Sequence, residues 1–321
     1  MTPVWDCHSD VLLKLLEEAR SSFVEGRGEG PERHYDLDRI VRGGVGVLVC
    51  ALFNRDDACG ASPVVRTLRM IDAAWELQFL TEKRVELACD GADIDRILTD
   101  GRTCMVLSIE NAIACLDRLD LLRTYYRLGV RAVGVTWNGR NFAADGCGVE
   151  ETGSRLTSFG RELVREAERL GMVLDVSHLS DSCFWDLLEH VSMPVIASHS
   201  NVRALCDHRR NLDDDQIRAI AERGGVIGLN FYGPFLTAED GDRATVDDVV
   251  RHALGLLERV GPDHVGIGSD FDGIKQGPEG LEDPTRFPAL RKRLAHEGVA
   301  EKELERIFFG NFRRVFGQVM G

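Results

Sequence analysis

The nine cysteines contain no Cys-x-x-Cys pair, which excludes a thioredoxin-like redox motif and a paired-cysteine zinc knuckle. Several of these thiols fall inside apolar, strand-like runs, so buried reduced cysteine is the expectation. No apolar run reaches the ~18 residues that would span a bilayer. Strand-like residues begin about three positions in, leaving no space before them for a basic n-region, an apolar h-region and a cleavage site. Basic clusters are missing too: 53 acidic residues against 39 basic ones leave a net charge of −14, whereas phosphate binding needs positive charge gathered on one face. These absences predict a soluble, cytoplasmic protein with neither nucleic acid nor membrane as partner. There is also no internal repeat and no low-complexity tract.

What the chain does have is alternation. Runs rich in Val, Ile and Leu recur near 3–8, 44–52, 103–109, 131–136, 172–177, 194–198, 225–231 and 264–269, the number of strands a closed parallel barrel requires. Helix-period stretches at 63–82, 156–170, 181–190, 213–223 and 245–259 lie between them, several behind Pro, Ser or Asp start signals. The insertion at 53–102 holds a long helix, the short apolar run Val85-Glu86-Leu87-Ala88 and a second helix. Without a long structureless linker, the 321 residues read as one domain, 1–321, a distorted TIM-like (β/α)8 barrel. An amphipathic helix near 300–318 is expected against its outside. Irregular segments at 21–36, 138–154, 232–244 and 271–287 supply the rim loops, and the active site belongs at the C-terminal ends of the strands.

Polar residues at those strand ends carry the chemistry. His8 and Asp10 close the first strand, Glu110 the third, His178 and His199 two consecutive later ones, and Asp270 the last. Each has an ordinary reading taken singly: a surface His with a capping Asp, an acid near a helix start, a hydrogen-bonded packing imidazole. Together, carboxylate and imidazole at one end of a barrel suit zinc or a similar divalent ion, and Asp270 would stand beside His8 and Asp10 as a proton acceptor. Asp272 reads as the cap of the turn at Gly273. Arg210, beside Arg209, either holds a substrate carboxylate in a bidentate fork or pairs with the acidic run Asp213-Asp214-Asp215. Asn230 offers a polar group at the end of its strand, and Tyr232 either the same or rim packing.

These pieces resemble the membrane (renal) dipeptidase family of zinc peptidases. The resemblance runs from Asp6-Cys7-His8-Ser9-Asp10 through Ser108-Ile109-Glu110, Asp175-Val176-Ser177-His178, Ser198-His199-Ser200, Arg209-Arg210-Asn211-Leu212 and Gly268-Ser269-Asp270-Phe271-Asp272-Gly273 to Gly310-Asn311-Phe312-Arg313-Arg314. It implies two zinc ions per chain, with His8 and Asp10 on one, His178 and His199 on the other, and Glu110 bridging both. It also implies a bridging hydroxide as nucleophile, Asp270 as acid/base, Arg210 on the substrate's C-terminal carboxylate with Tyr232 lining the same pocket, dipeptides (L,L and also L,D) as substrates, and a homodimer. One departure stands out: many members carry a carbonyl-polarising His after the fourth strand, and here Trp137 takes that place. Asn141 or a metal ion is the expected substitute. Two rivals remain: another metal-dependent amide, lactone or imine hydrolase on the same barrel, and a non-catalytic zinc-binding protein.

Overall fold

The computed structural model describes residues 2–17, 19–26, 33–238 and 243–321, so parts of the expected rim segments at 21–36 and 232–244 lie outside the described residues. Among the described residues nine strands form, all parallel: β1 (Val4–Ser9), β2 (Val45–Phe53), β3 (Val85–Leu87), β4 (Thr103–Glu110), β5 (Val130–Gly134), β6 (Val173–Asp175), β7 (Val195–Ala197), β8 (Val226–Leu229) and β9 (Val265–Ile267). Eight of them match the expected runs. Because β2 pairs directly with β4, from Val47↔Cys104 to Phe53↔Glu110, the barrel closes in the order β1-β2-β4-β5-β6-β7-β8-β9. The run at 85–87 is the extra strand; it pairs with the first half of β4 and leaves the second half to β5.

The barrel is distorted where it closes. Between β9 and β1 the ladder has one register pair, Asp6↔Ile267, and an isolated bridge, Ser9↔Phe271. Asp6 reinforces the seam from its side chain, accepting hydrogen bonds from the Ser269 backbone N–H at 2.8 Å and from the Ser269 and Tyr35 hydroxyls. Buried acceptors of this kind hold only when their donors are met, so the seam depends on all three.

The expected helices appear at Ser62–Leu80, Ser158–Leu170, Asp181–His190, Asp214–Glu222 and Val246–Val260. Thr157, Ser180 and Asp213 cap three of them through their side chains, as short polar residues ahead of an apolar period should. Among the described residues no helix is long and apolar enough to cross a membrane.

The C-terminal helix does not pack on the outside. It runs as Glu301–Glu305, a π turn at Arg306–Gly310 and Asn311–Met320. Phe312, Val315, Phe316 and Val319 join Trp5, Cys7, Val47, Cys104, Ala132, Val173, Ile196 and Val226 in one interior cluster. The helix touches β1, β6, β8 and β9, strands from opposite sides of the barrel, so it plugs the N-terminal end. Gly266 makes room for it, since a Cβ there would lie 2.2 Å from Phe312 Cε2. With that end sealed by aromatic packing, the C-terminal mouth is the open end of the barrel.

Candidate metal centre and catalytic cleft

β1 carries a register shift between Asp6 and Ser9. Such a bulge adds one residue to the period of two and re-aims a side chain, so His8 turns toward the mouth although Asp6, two residues earlier, faces the outer layer and Tyr35. His8 Nε2 lies 3.5 Å from Asp10 Oδ2 and 3.4 Å from Glu110 Oε2. The other Glu110 oxygen, Oε1, lies 3.1 Å from His178 Nε2 and 4.0 Å from His199 Nε2. Glu110 therefore faces two donor groups with its two oxygens. Among the described residues, Glu110–His178–His199 and His8–Asp10–Glu110 each gather their ligand atoms within 4.8 Å.

Two of the histidines, His178 and His199, are held neutral rather than as cations. His178 Nδ1 lies 2.9 Å from Asn138 Oδ1, and His199 Nδ1 lies 2.7 Å from Ser198 Oγ. With Nδ1–H donating outward, each Nε2 lone pair is aimed into the site. Burial, helped by the Arg210 charge, takes His178 down to about 3, and burial takes His199 well below its usual range. His8 differs: burial opposes its charge, yet Glu110 and Asp10 overcome it and raise the imidazole well above its usual value. His8 Nε2 is nonetheless buried without a hydrogen-bond partner.

Three carboxylates thus meet around one mouth, Asp10 and Glu110 buried and Asp270 half-buried. Burial and the Glu110 charge push Asp10 up, while Glu110 itself is held low against burial by His8 and His178. Burial also raises Asp270 to about 6, with His8 pulling against it and Glu110 adding to it. An excess of buried negative charge, neutral imidazoles with aimed lone pairs and an orphaned Nε2 are what a divalent cation would satisfy. The residues fit bound metal.

Asp270 reaches the centre through strained backbone. His178 and Asp270 have φ of +70° and +65°, a region that costs a non-glycine residue of order 1–3 kcal/mol and concentrates at working sites. Asp270 N–H donates to the His8 carbonyl at 3.1 Å, and Asn230 Nδ2 donates to Asp270 Oδ2 at 3.0 Å. Gly273 keeps the space between two acids open, since a Cβ there would lie 2.2 Å from Asp10 Oδ2 and 2.5 Å from Asp270 Oδ1. Asp272 does not cap that turn. Its carboxylate accepts from the His34 and Tyr35 backbone N–H groups at 2.6 and 3.3 Å, tying the segment after β1 to the end of β9.

Above these groups opens a cavity of about 440 Å3, lined by Asp10, Leu13, Phe53, Glu110, Trp137, Asn138, His178, His199, Tyr232, Phe235, Asp270, Gly273, Ile274 and Lys275. The sequence model of the membrane dipeptidase family, peptidase family M19, matches residues 1–320. The chain belongs to that family.

Solved and curated relatives agree with this membership of the M19 peptidases, and as a member the chain is a hydrolase. The crystal structure of dipeptidase AC, an M19 metallopeptidase, is 32% identical, covers 100% of both chains and superposes with a TM-score of 0.93. A metallopeptidase from Rhodobacter sphaeroides, liganded with a phosphinate mimic of the dipeptide L-Ala-D-Ala, is 30% identical over 99% of each chain, again at 0.93. Dipeptidase tcpJ of Claviceps purpurea is 32% identical over 295 residues, 89% of this chain and 69% of that protein.

In this M19 chain the recognition residues divide. Trp137 and Tyr232 line the cavity, Trp137 edge-on to Phe53 with centroids 5.1 Å apart and Tyr232 edge-on to Phe235 at 4.8 Å. Asn141 is spent elsewhere: Nδ2 donates to Asn111 Oδ1 and the Val135 carbonyl, and Oδ1 accepts from Ala143 and Ala144. It is a loop organiser and cannot supply the carbonyl contact. Asn230 is fully buried and holds Asp270 and the Tyr232 N–H, so it positions the acid and does not form cavity wall.

Arg210 is buried, donating to the His199 carbonyl at 3.0 Å and Ser200 Oγ at 3.4 Å, with Nε unpartnered. The acidic run is taken by other arginines: Arg203 on Asp213, Arg259 on Asp214 and Arg218 on Asp215. Phe235 stands 5.3 Å from the Arg210 guanidinium, which puts the charge one ring behind the wall.

Sequence reasoning missed the residues that aim the ligands. Asp175 accepts from the Ser177 and Ser198 N–H groups and the Ser198 hydroxyl, placing a carboxylate behind His199 through Ser198. Asn138 places its amide oxygen directly behind His178. The available signal was Ser198 immediately before His199 and the acidic Asp175 closing an apolar strand.

Proposed function

We propose that this chain is a zinc dipeptidase whose two ions are held by His8 and Asp10 on one side, His178 and His199 on the other, and Glu110 between them. The observation that carries the reading is the division of the Glu110 oxygens between two ligand groups, with Asp270 beside them at the same mouth. A divalent pair supplies Lewis acidity toward the scissile carbonyl and lowers the pKa of water. This takes the place of the missing histidine at Trp137.

The protein's own groups do the rest. Asp270, tied by Asn230 at Oδ2 and facing the space that Gly273 leaves free, accepts a proton from the attacking water and returns it to the leaving amine. Arg210 supplies the positive field for the C-terminal carboxylate, which seats at Tyr232 and Phe235. A peptide extended past that point would present an amide to a desolvated guanidinium, so longer peptides are poor substrates. Phe53 and Trp137 wall the cleft against water.

A panel of L,L and L,D dipeptides, their C-terminal amides and tripeptides, assayed with and without chelator and followed by zinc restoration, tests this. Chelator-sensitive turnover of free dipeptides is expected. Equal turnover of the amides would reassign the barrel to general amide, lactone or imine hydrolysis.

A further inference from the structure

The loop that carries Asp270 continues to a second charged side chain on the cavity wall, Lys275. Among the described residues it is the one lysine or arginine lining that cavity, and it has no hydrogen-bond or ion-pair partner among them. Its backbone is nevertheless fixed. Gly273 and Ile274 N–H both donate to the Asp270 carbonyl at 3.1 Å, and Ile274 is buried in the core. Beyond the lysine, Glu279 N–H donates to the Ala244 carbonyl and its own carbonyl accepts from Val246 N–H, each at 2.8 Å. A free ammonium held on a tied-down rim is arranged for a ligand that arrives with negative charge.

Position around the barrel says which part of a substrate meets it. Lys275 follows β9, between the loop after β8, which bears Tyr232 and Phe235, and the segment after β1, which bears Leu13. In the closed barrel the strand opposite β9 is β5, and the loop after β5 bears Trp137. The cavity therefore has a cationic end at Lys275 and an aromatic end at Trp137 and Phe53. On the dipeptidase reading above, on which this inference rests, Asp270 protonates the leaving amine and the C-terminal carboxylate faces Arg210 behind Phe235. The leaving residue then lies along the β8 and β9 side of the mouth, and the acyl residue lies toward Phe53 and Trp137.

We propose that Lys275 is a specificity-determining residue that pairs with the side-chain carboxylate of the leaving residue, so that dipeptides ending in Asp or Glu are the preferred substrates. An acidic side chain elsewhere in this mouth would approach Asp10, Glu110 or Asp270, so the same charge is disfavoured there and favoured at the lysine. The amide isosteres Asn and Gln fill the same volume without the charge. An ion pair open to water contributes little, but here the substrate itself covers the pair, and a preference of about tenfold is expected.

The test is kcat/KM of the zinc-loaded protein on Ala-Asp, Ala-Asn, Ala-Glu and Ala-Gln, and on Asp-Ala and Asn-Ala, in the L,L and L,D series. Wild type should favour acid over amide about tenfold at the C-terminal position and not at the N-terminal one. Lys275→Met should remove the C-terminal preference and Lys275→Glu should invert it, with metal content by elemental analysis unchanged. Each preference is a ratio within one preparation, so a misfolded fraction cancels. A wild type that turns over acid and amide equally, or a preference that neither variant moves, would overturn the proposal. So would a preference that Lys275→Met removes at the N-terminal position instead. Loss of metal with an equal fall on every substrate would overturn it too, making Lys275 a counter-charge for the mouth. Turnover of none of these dipeptides would sink the dipeptidase reading and this inference with it, whereas turnover without the preference removes this inference alone.

Discussion

At the scale of single residues the centre turns on Glu110. Its two oxygens face different ligand groups, so replacing the carboxylate by an amide removes charge from both at once. Glu110→Gln is expected to lower bound metal at the two sites together, measured by elemental analysis of purified protein; loss of one ion with full retention of the other would show that Glu110 serves a single site. Asp270→Asn preserves shape and the contact near Asn230 but not the proton acceptor. Turnover should fall by about 10²–10⁴ with metal content intact, and a parallel loss of metal would make Asp270 a ligand instead. For Arg210, charge is the testable quantity. Arg210→Met on free dipeptides, and wild type on C-terminal amides, should each lose roughly 2–5 kcal/mol in kcat/KM, and the two losses should not add. Full additivity would show that guanidinium and carboxylate never meet.

At the scale of elements, the loops that bear these residues are fastened by buried polar groups. His252, on the helix Val246–Val260, is fully buried; its Nδ1 accepts from Val202 N–H at 3.1 Å and its Nε2 donates to the Leu236 carbonyl at 3.0 Å. One acceptor and one donor define a neutral ring, and burial takes its pKa from 6.5 down to about 4. Between those values the unfolded chain binds more protons than the folded one, so this stabilisation is complete above pH 6.5 and is lost as the pH falls toward 4. About 2 kcal/mol should disappear between pH 7 and pH 5. Denaturant unfolding of wild type and His252→Gln at both values checks it: the variant should show the smaller pH dependence, and equal dependence would place the acid sensitivity elsewhere. Since Val202 begins the loop that carries Arg210, softening should reach the recognition side of the cleft first.

At the scale of the whole molecule, the polar mouth and the plugged base have opposite energetics. The base is apolar and interdigitated, with Trp5 5.0 Å from Phe316 between ring centroids, whereas the mouth holds buried like charges that only cations relieve. Metal binding to the folded chain alone should therefore stabilise the whole barrel, by about 2.7 kcal/mol per site at a hundredfold excess over Kd. That corresponds to a rise of several degrees in Tm for a chain of this size. Thermal unfolding with chelator, then with zinc restored, measures it. A Tm indifferent to both would mean that the ligands are satisfied by one another.

The sequence by itself determined the alternation of strand and helix, the eight barrel strands and the polar residues at their ends, because periodicity and strand-end position are local properties. It also contained the family resemblance, which the order and spacing of those residues made specific. Only the tertiary structure decided which way the residues point. The bulge that turns His8 inward arises from pairing with β2, and Asp175 became an acceptor behind His199 only when β6 and β7 met. Asn141 and Asn230 read as candidate substrate contacts until neighbours from other segments claimed their amides. The C-terminal helix has the same amphipathic pattern whether it lies against a barrel or beneath it. Its place was settled by the space that Gly266 leaves under the strands, a contact between residues far apart in the chain that no local pattern encodes.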